Sequence, residues 1–316
     1  MSRIGRSLLV LLLVLVLIVA LCAVIVYVLL NQTFEQLGVS EAPLINGKSI
    51  ADMKLEGYKP IEVLPLAKSL FTDNGSLVNY VPSNDDTEAV DEVFKQSDIN
   101  TLTGVHYSRL IYKSANFPTV RLLELTDKQL CALLNSTVKQ APSDLLLSTS
   151  AEILAYLGSK QIKDILDILE QFDVTVEQIK LLNKADVPHM ELLISLDISQ
   201  YAQGFYVPFW GEMNSRVYVN IDYCLNVSDA GIISLDSPVL SVNGKDAELS
   251  QKVLDGLFIA MNNDENSDPI STNSLAEGVS AFIGVVFEHV GHVGNGLNLG
   301  ACGVNVQNRT IRFESY

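Results

Sequence analysis

Residues 215–228 read SRVYVNIDYCLNVS. Apolar and polar side chains alternate through this stretch. Val217, Val219, Ile221, Tyr223, Leu225 and Val227 fall on one side, and Tyr218, Asn220, Asp222, Cys224 and Asn226 on the other. Successive side chains of a strand point to opposite faces, so a period of two predicts a strand with one buried and one wet face. Upstream, PHMELLISLDIS (188–199) alternates in the same way, with Met190, Leu192, Ile194, Leu196 and Ile198 set against Glu191, Ser195 and Asp197. Downstream, Ser228-Asp229-Ala230-Gly231 reads as a turn and GIISLDSPVLSV (231–242) as the returning strand of a hairpin. Strands of this kind pair antiparallel and cover a core with one face.

Helical patterns flank the strands. In TDKQLCALLNSTV (126–138), Thr126 and Gln129 have the spacing of a capping box, and Leu130, Leu133, Leu134 and Val138 form a stripe at helical period. Thr149–Glu152 repeats the capping signature. Ile162, Ile165, Leu166, Leu169 and Phe172 then share a face, and after Asp173 the series resumes with Val176, Ile179 and Leu182. This predicts a helical hairpin over 150–184. A further helix is predicted at Ala247–Met261, with Val253, Leu254, Leu257 and Phe258 inward. The acidic loop NNDENSDP (262–269) separates it from an apolar helix around Leu275–Val290. The chain closes on Gly-rich strands, with Val304, Val306, Ile311 and Phe313 as inward candidates. Strands grouped with strands and helices with helices indicate an α+β fold, not a doubly wound parallel sheet.

The N-terminal end carries LLVLLLVLVLIVALCAVIVYVLL (8–30), without charge, Gly or Pro. At about 1.5 Å per residue this length matches a hydrocarbon core of about 30 Å. Arg3 and Arg6 precede it and no basic residue follows until Lys48. That bias predicts a single-pass transmembrane helix with a cytoplasmic N-terminus and an extracytoplasmic C-terminal domain. The stretch is too long for the apolar part of a cleaved signal, and Tyr27-Val28-Leu29-Leu30 offers no small-residue cleavage site. The expected organisation is a cytoplasmic end over 1–7, the helix over 8–30, a linker and irregular part over 31–120, and the α+β domain over 121–316.

The chain has 316 residues, 48% of them hydrophobic, and a net charge of −16. It can bury a sizeable core, and its acidity argues against a nucleic-acid partner, since phosphates are held by Lys and Arg. Its four cysteines, Cys22, Cys131, Cys224 and Cys302, are widely spaced and imply no disulfide framework. No CxxC pair supports zinc or redox chemistry, and no cofactor is expected.

Candidate sites are few. His289 and His292 have the spacing of two metal ligands but lack a well-spaced third, and a histidine at a helix end before Gly291 and Gly294 suits the helix dipole. No G-x-S-x-G elbow surrounds a serine, although His106 and His189 are available as bases. The glycines of GNGLNLG (294–300) fit no nucleotide-binding frame. The acidic pairs Asp85-Asp86, Asp91-Glu92 and Asp264-Glu265 lie in polar loops where solvated turns account for them. The one aromatic cluster, Gly204-Phe205-Tyr206-Val207-Pro208-Phe209-Trp210, holds the single Trp. Phe205, Tyr206, Phe209 and Trp210 are the ligand-binding candidates, as an apolar lip that grips a lipid chain or touches a bilayer.

The phrase LLELTDKQLCALLNSTV (122–138), strand then capped helix, resembles the opening of single-pass bacterial envelope proteins of the YpmS and AsmA-like type. The long alternating strands over Val217–Val242, the Asn243-Gly244 turn and the helix Ala247–Met261 are similar in order. Where that family often has an asparagine after leucine this chain has Cys131, and the 150–184 hairpin reads as an insertion. The resemblance implies an elongated curved sheet with helices laid against it, and the shielding or carriage of apolar groups. The expected function is therefore a membrane-anchored protein without catalysis that binds an apolar ligand or an envelope partner along a curved sheet, with residues 8–30 in the bilayer. The alternatives are an envelope-polymer hydrolase working through an acidic pair and a structural subunit of a membrane complex.

Overall fold

The structure is a computed structural model and describes residues 24–45, 48–86, 111–113, 121–140, 173–199, 204, 206–229, 233–261, 271–293 and 297–315. Its strands are β1 (Pro43–Ile45), β2 (Lys48–Ser49), β3 (Ile111–Lys113), β4 (Arg121–Thr126), β5 (Asp173–Lys184), β6 (Val187–Asp197), β7 (Tyr206–Val207), β8 (Gly211–Glu212), β9 (Arg216–Val227), β10 (Ile233–Val242), β11 (His292–Val293), β12 (Leu297–Asn305) and β13 (Thr310–Ser315). Its helices are α1 (Pro60–Ser69), α2 (Asp127–Gln140), α3 (Ala247–Met261) and α4 (Thr272–Gly291). All strand pairs are antiparallel, so the fold is α+β.

The chain divides into two compact units. The smaller comprises Met1–Ala67 and Lys252–Pro269. Its core is Ile50, Met53 and Leu55, with Phe34, Tyr58 and Val253 packed around them. Ser49 and Asp52 shape the turn that presents these residues: Asp52 Oδ2 accepts from both the N–H and the hydroxyl of Ser49. Gly256 fits because a Cβ there would meet the Met53 carbonyl oxygen at 2.9 Å.

The larger unit comprises Lys68–Gln251 and Ile270–Tyr316. A four-stranded sheet in the order β10-β9-β6-β5 forms one part, and a five-stranded sheet in the order β11-β12-β13-β4-β3 the other. The β9 alternation is realised over most of its length: Val217, Val219, Ile221, Tyr223 and Leu225 are buried, and Asn220, Asp222 and Cys224 sit half-buried on the opposite face. Tyr218, expected on the wet face, is instead buried, and Val227, expected inward, is half-buried. Helix α4 packs on β10 of the first sheet and β12 of the second. The Tyr223 hydroxyl donates to the Ala276 carbonyl at 2.8 Å, and the Phe287 and Phe313 rings lie 6.3 Å apart.

Helix α2 begins with the expected capping box. Thr126 N–H donates to Gln129 Oε1 at 2.9 Å, and Gln129 N–H donates to Thr126 Oγ1 at 3.2 Å. Its apolar face, Leu130, Leu133 and Leu134, is buried, and it packs along β5, the end strand of the four-stranded sheet. An end strand exposes backbone groups without a ladder partner. Three α2 side chains spaced by four residues meet those groups. Asn135 Oδ1 accepts from Val176 N–H at 3.3 Å, the Cys131 thiol donates to Val176 O at 3.6 Å, and Asp127 Oδ2 accepts from Leu181 N–H at 3.5 Å. At the far end of the sheet, β10 changes register between Asp236 and Val239, where Ser237 has φ 50° and Pro238 lacks an N–H.

Two parts of the expected fold are corrected. Of the stretch 8–30, residues 24–30 are described and helical, with exposed or half-buried side chains. Among the described residues no helix is long and apolar enough to cross a membrane. The expected helical hairpin at 150–184 lies outside the described residues up to 172, and 173–184 is the strand β5. A β-bulge caused the misreading. The register of β5 on β6 shifts between Val176 and Gln178, so its buried apolar residues run Val174, Val176, Ile179, Leu181. One extra residue turns a period of two into a helix-like step of three.

Asp127 is fully buried, and one carboxylate oxygen, Oδ1, has no hydrogen-bond partner. Burial pushes its carboxyl above the ordinary carboxylate range, against the hydrogen bonds from Tyr80 and Leu181 and the Arg309 charge. A folded-state value above the unfolded one, about 3.9, means that this group favours folding at low pH and loses that contribution as pH rises through its folded value. Replacing it by the neutral isostere removes the loss. In urea melts, Asp127→Asn is therefore expected to gain stability relative to the unaltered protein as pH is raised from 3 to 7, and a flat difference would contradict the assignment.

Candidate functional site

The outward face of the four-stranded sheet carries the densest set of chemically active side chains among the described residues. The pairing of β6 with β9 sets His189 opposite Cys224 and Glu191 opposite Asp222. Residues two apart on a strand share a face, so these four side chains form one patch. The β5–β6 turn, Ala185-Asp186, has positive φ at both positions (49° and 66°), the geometry of a two-residue type I′ hairpin. It brings Lys184 back over the same face.

Hydrogen bonds link the patch into a chain. Lys184 Nζ donates to Glu191 Oε1 at 2.8 Å and to Asp222 Oδ2 at 2.7 Å. The other Asp222 oxygen, Oδ1, lies 2.9 Å from His189 Nδ1, and His189 Nε2 lies 3.7 Å from Cys224 Sγ. A carboxylate accepts only, so Nδ1 carries the proton and donates, leaving Nε2 of the neutral ring as acceptor for the thiol. The His189 and Asp222 side chains keep 14% and 16% of their surface, enough to be reached from solvent yet largely desolvated. Partial burial alone would lower the Lys184 ammonium, but hydrogen bonds to Asp222 and Glu191 outweigh it and hold it above the ordinary lysine value.

A second polar knot lies where residues 79–80 meet β5. Gln178 Oε1 accepts from the N–H groups of Asn79 and Tyr80 at 3.0 and 2.7 Å. Lys128 Nζ and the Arg309 guanidinium lie 4.7 and 4.6 Å from the centre of the Tyr80 ring. With Asp127 wholly shielded from solvent, this arrangement fastens segments together and offers no carboxylate to a substrate.

The aromatic candidates divide. Phe205 lies outside the described residues. Tyr206 and Phe209 project from the β7–β8 hairpin with 64% and 102% of their surface free. Phe209 has φ 73°, a left-handed conformation that a residue with a bulky side chain rarely adopts. Trp210 is half-buried, its ring 5.3 Å from that of Phe71, and its backbone N–H closes the turn on Val207 O at 3.1 Å. The hairpin therefore rests on Phe71 through Trp210 and carries an apolar tip.

The remaining expectations place as follows. Asp86 Oδ2 accepts from Ser83 N–H at 2.9 Å in a local turn. Asp91-Glu92, Asp264-Glu265 and His106 lie outside the described residues. His289 falls in the last turn of α4 and His292 in β11. Among the described residues no group of three His, Cys, Asp or Glu side chains could hold a metal ion. The Asp222–His189–Cys224 chain escaped sequence reading because it links residues 35 apart through strand register. The available signal was that all three occupy outward positions of alternating strands.

Comparison with protein-family models, curated proteins and solved structures finds no match to this chain. The hydrogen-bond chain makes a spectroscopic prediction. In nitrogen NMR of the protein, neutral His189 is expected as the Nδ1–H tautomer, and Asp222→Asn is expected to shift the population toward Nε2–H. A ring already protonated at Nε2 in the unaltered protein would break the chain.

Proposed function

We propose that this chain is a membrane-associated binding module that holds an apolar ligand, foremost a lipid acyl chain, with the tip of the β7–β8 hairpin. The observation that carries this reading is Phe209, a large apolar side chain left entirely in water on a left-handed backbone. Burying such a side chain is worth about 1.5–3 kcal/mol. A fold that keeps it exposed, on a hairpin braced by Trp210 against Phe71, presents it to something else. Tyr206 beside it has an apolar ring and a polar tip, the character favoured where an apolar layer meets water.

The sequence adds support from elsewhere in the chain. Residues 8–30 are uncharged and apolar, which suits a protein that works at a membrane. The net charge of −16 disfavours anionic headgroups and nucleic acid, so attraction has to come from apolar surface. This reading confines the ligand contact to the hairpin, not to the length of the sheet.

Trp210 is the single tryptophan and sits next to Phe209, so its emission reports directly on the tip. With the full chain reconstituted in phosphatidylcholine vesicles, brominated acyl chains are expected to quench Trp210. Phe209→Ala should weaken the effect about tenfold, as the loss of roughly 1.4 kcal/mol implies. Emission indifferent to brominated lipid, with the fold intact by circular dichroism, would refute the proposal.

A further inference from the structure

We propose that Cys224, His189 and Asp222 form a nucleophilic thiol site that accepts an acyl group from an uncharged ester or thioester. This goes beyond the binding role of the hairpin and is independent of it. The arrangement has the three parts such chemistry needs. A thiol lies within hydrogen-bond reach of an imidazole nitrogen (3.7 Å), and the other ring nitrogen is fixed by a carboxylate at 2.9 Å. Lys184 in turn holds the second oxygen of that carboxylate at 2.7 Å, so Asp222 cannot swing away from His189 without breaking an ion pair. Neither half of the patch is sealed: Cys224 is half-buried, whereas the chain's other described cysteine, Cys131, is buried.

The surroundings narrow the substrate. Cys224 lies in a central strand, paired with His189 on one side and Asp236 on the other, so its backbone N–H is committed to the sheet and is not free to stabilise an oxyanion. Without that help an amide, whose leaving group is poor, is a weak substrate, and an ester or thioester is a better one. Three acids, Asp222, Glu191 and Asp236, occupy the register positions around Cys224 against one cation, Lys184, and this negative balance disfavours an anionic donor.

The step balances without an oxidant or a cofactor. The sulfur of Cys224 attacks the carbonyl carbon while His189 Nε2 takes the thiol proton. The bond from that carbon to the ester oxygen or thioester sulfur then breaks, and the leaving atom takes the proton from His189. The products are an S-acyl Cys224 and a free alcohol or thiol. In hydrolysis, water deprotonated by His189 attacks the thioester carbonyl, the carbon–sulfur bond breaks, and the Cys224 sulfur takes the proton back from His189, releasing a carboxylic acid and restoring the thiol.

The test uses the full chain with p-nitrophenyl acetate and with an acetyl thioester, followed by peptide mass mapping. An acetyl group is expected on Cys224 and not on Cys131, whose thiol burial pushes up to about 12. His189→Gln is expected to slow Cys224 acylation about 10²-fold, the lower end of general-base effects, with unchanged circular dichroism. Should that variant fail to fold, the unaltered protein still decides: Cys224 should react about 10²-fold faster than glutathione at the same pH, the lower end of the range for general-base assistance. An equal or slower rate, acylation indifferent to His189→Gln, or label only on other residues would overturn the proposal.

Discussion

The open edge of β5 is the constraint around which the larger unit is arranged. A strand at the end of a sheet leaves N–H and C=O groups that must find partners or stay wet. In this protein the partners are side chains on α2, and their spacing of four residues is what a helix lying along a strand can supply. Asp127, Cys131 and Asn135 spend their polar atoms on the strand, while Leu130, Leu133 and Leu134 of the same helix fill the core. The bulge at Val176–Gln178 belongs to the same solution. It keeps Ile179 and Leu181 inward after the extra residue, and it leaves Gln178 placed to receive the amides of Asn79 and Tyr80. A helix, a strand and a distant segment are thereby fastened at one edge.

The two described cysteines show how one fold assigns opposite chemistry to one side-chain type. Cys131 donates to a strand carbonyl inside the core, and burial keeps its thiol protonated. Cys224 is on a central strand, but its side chain points to the wet face, where His189 stands directly across the ladder. The difference is one of strand parity. The inward neighbours Tyr223 and Leu225 pack in the core, and Cys224 between them has to face out.

Much of the architecture was legible because local signals agreed with tertiary ones. The capping box of Thr126 and Gln129 and the bounds of the helix Ala247–Met261 appear as read, and so does the alternation over 215–228 apart from the buried Tyr218 and the half-buried Val227. The β5 strand was not legible for two local reasons. Its bulge puts two residues, Glu177 and Gln178, between the inward Val176 and Ile179 where a regular strand has one, and its turn uses Ala185-Asp186 where Asn or Gly would have marked a hairpin. The site was legible only in part. An exposed aromatic cluster announces itself in sequence, yet nothing local tells that Trp210 packs on Phe71 while Phe209 turns out. The Asp222–His189–Cys224 chain depends on how β6 slides against β9, and register is a property of the pair, not of either strand.

The far side of the four-stranded sheet completes the picture of its margins. β10 kinks at Ser237, whose backbone is left-handed, and Pro238 withholds an amide at the next position. Another extended chain laid alongside would find its hydrogen-bond rhythm broken at mid-length. With α2 lying along the opposite border, both margins of this sheet are poor templates for an added strand.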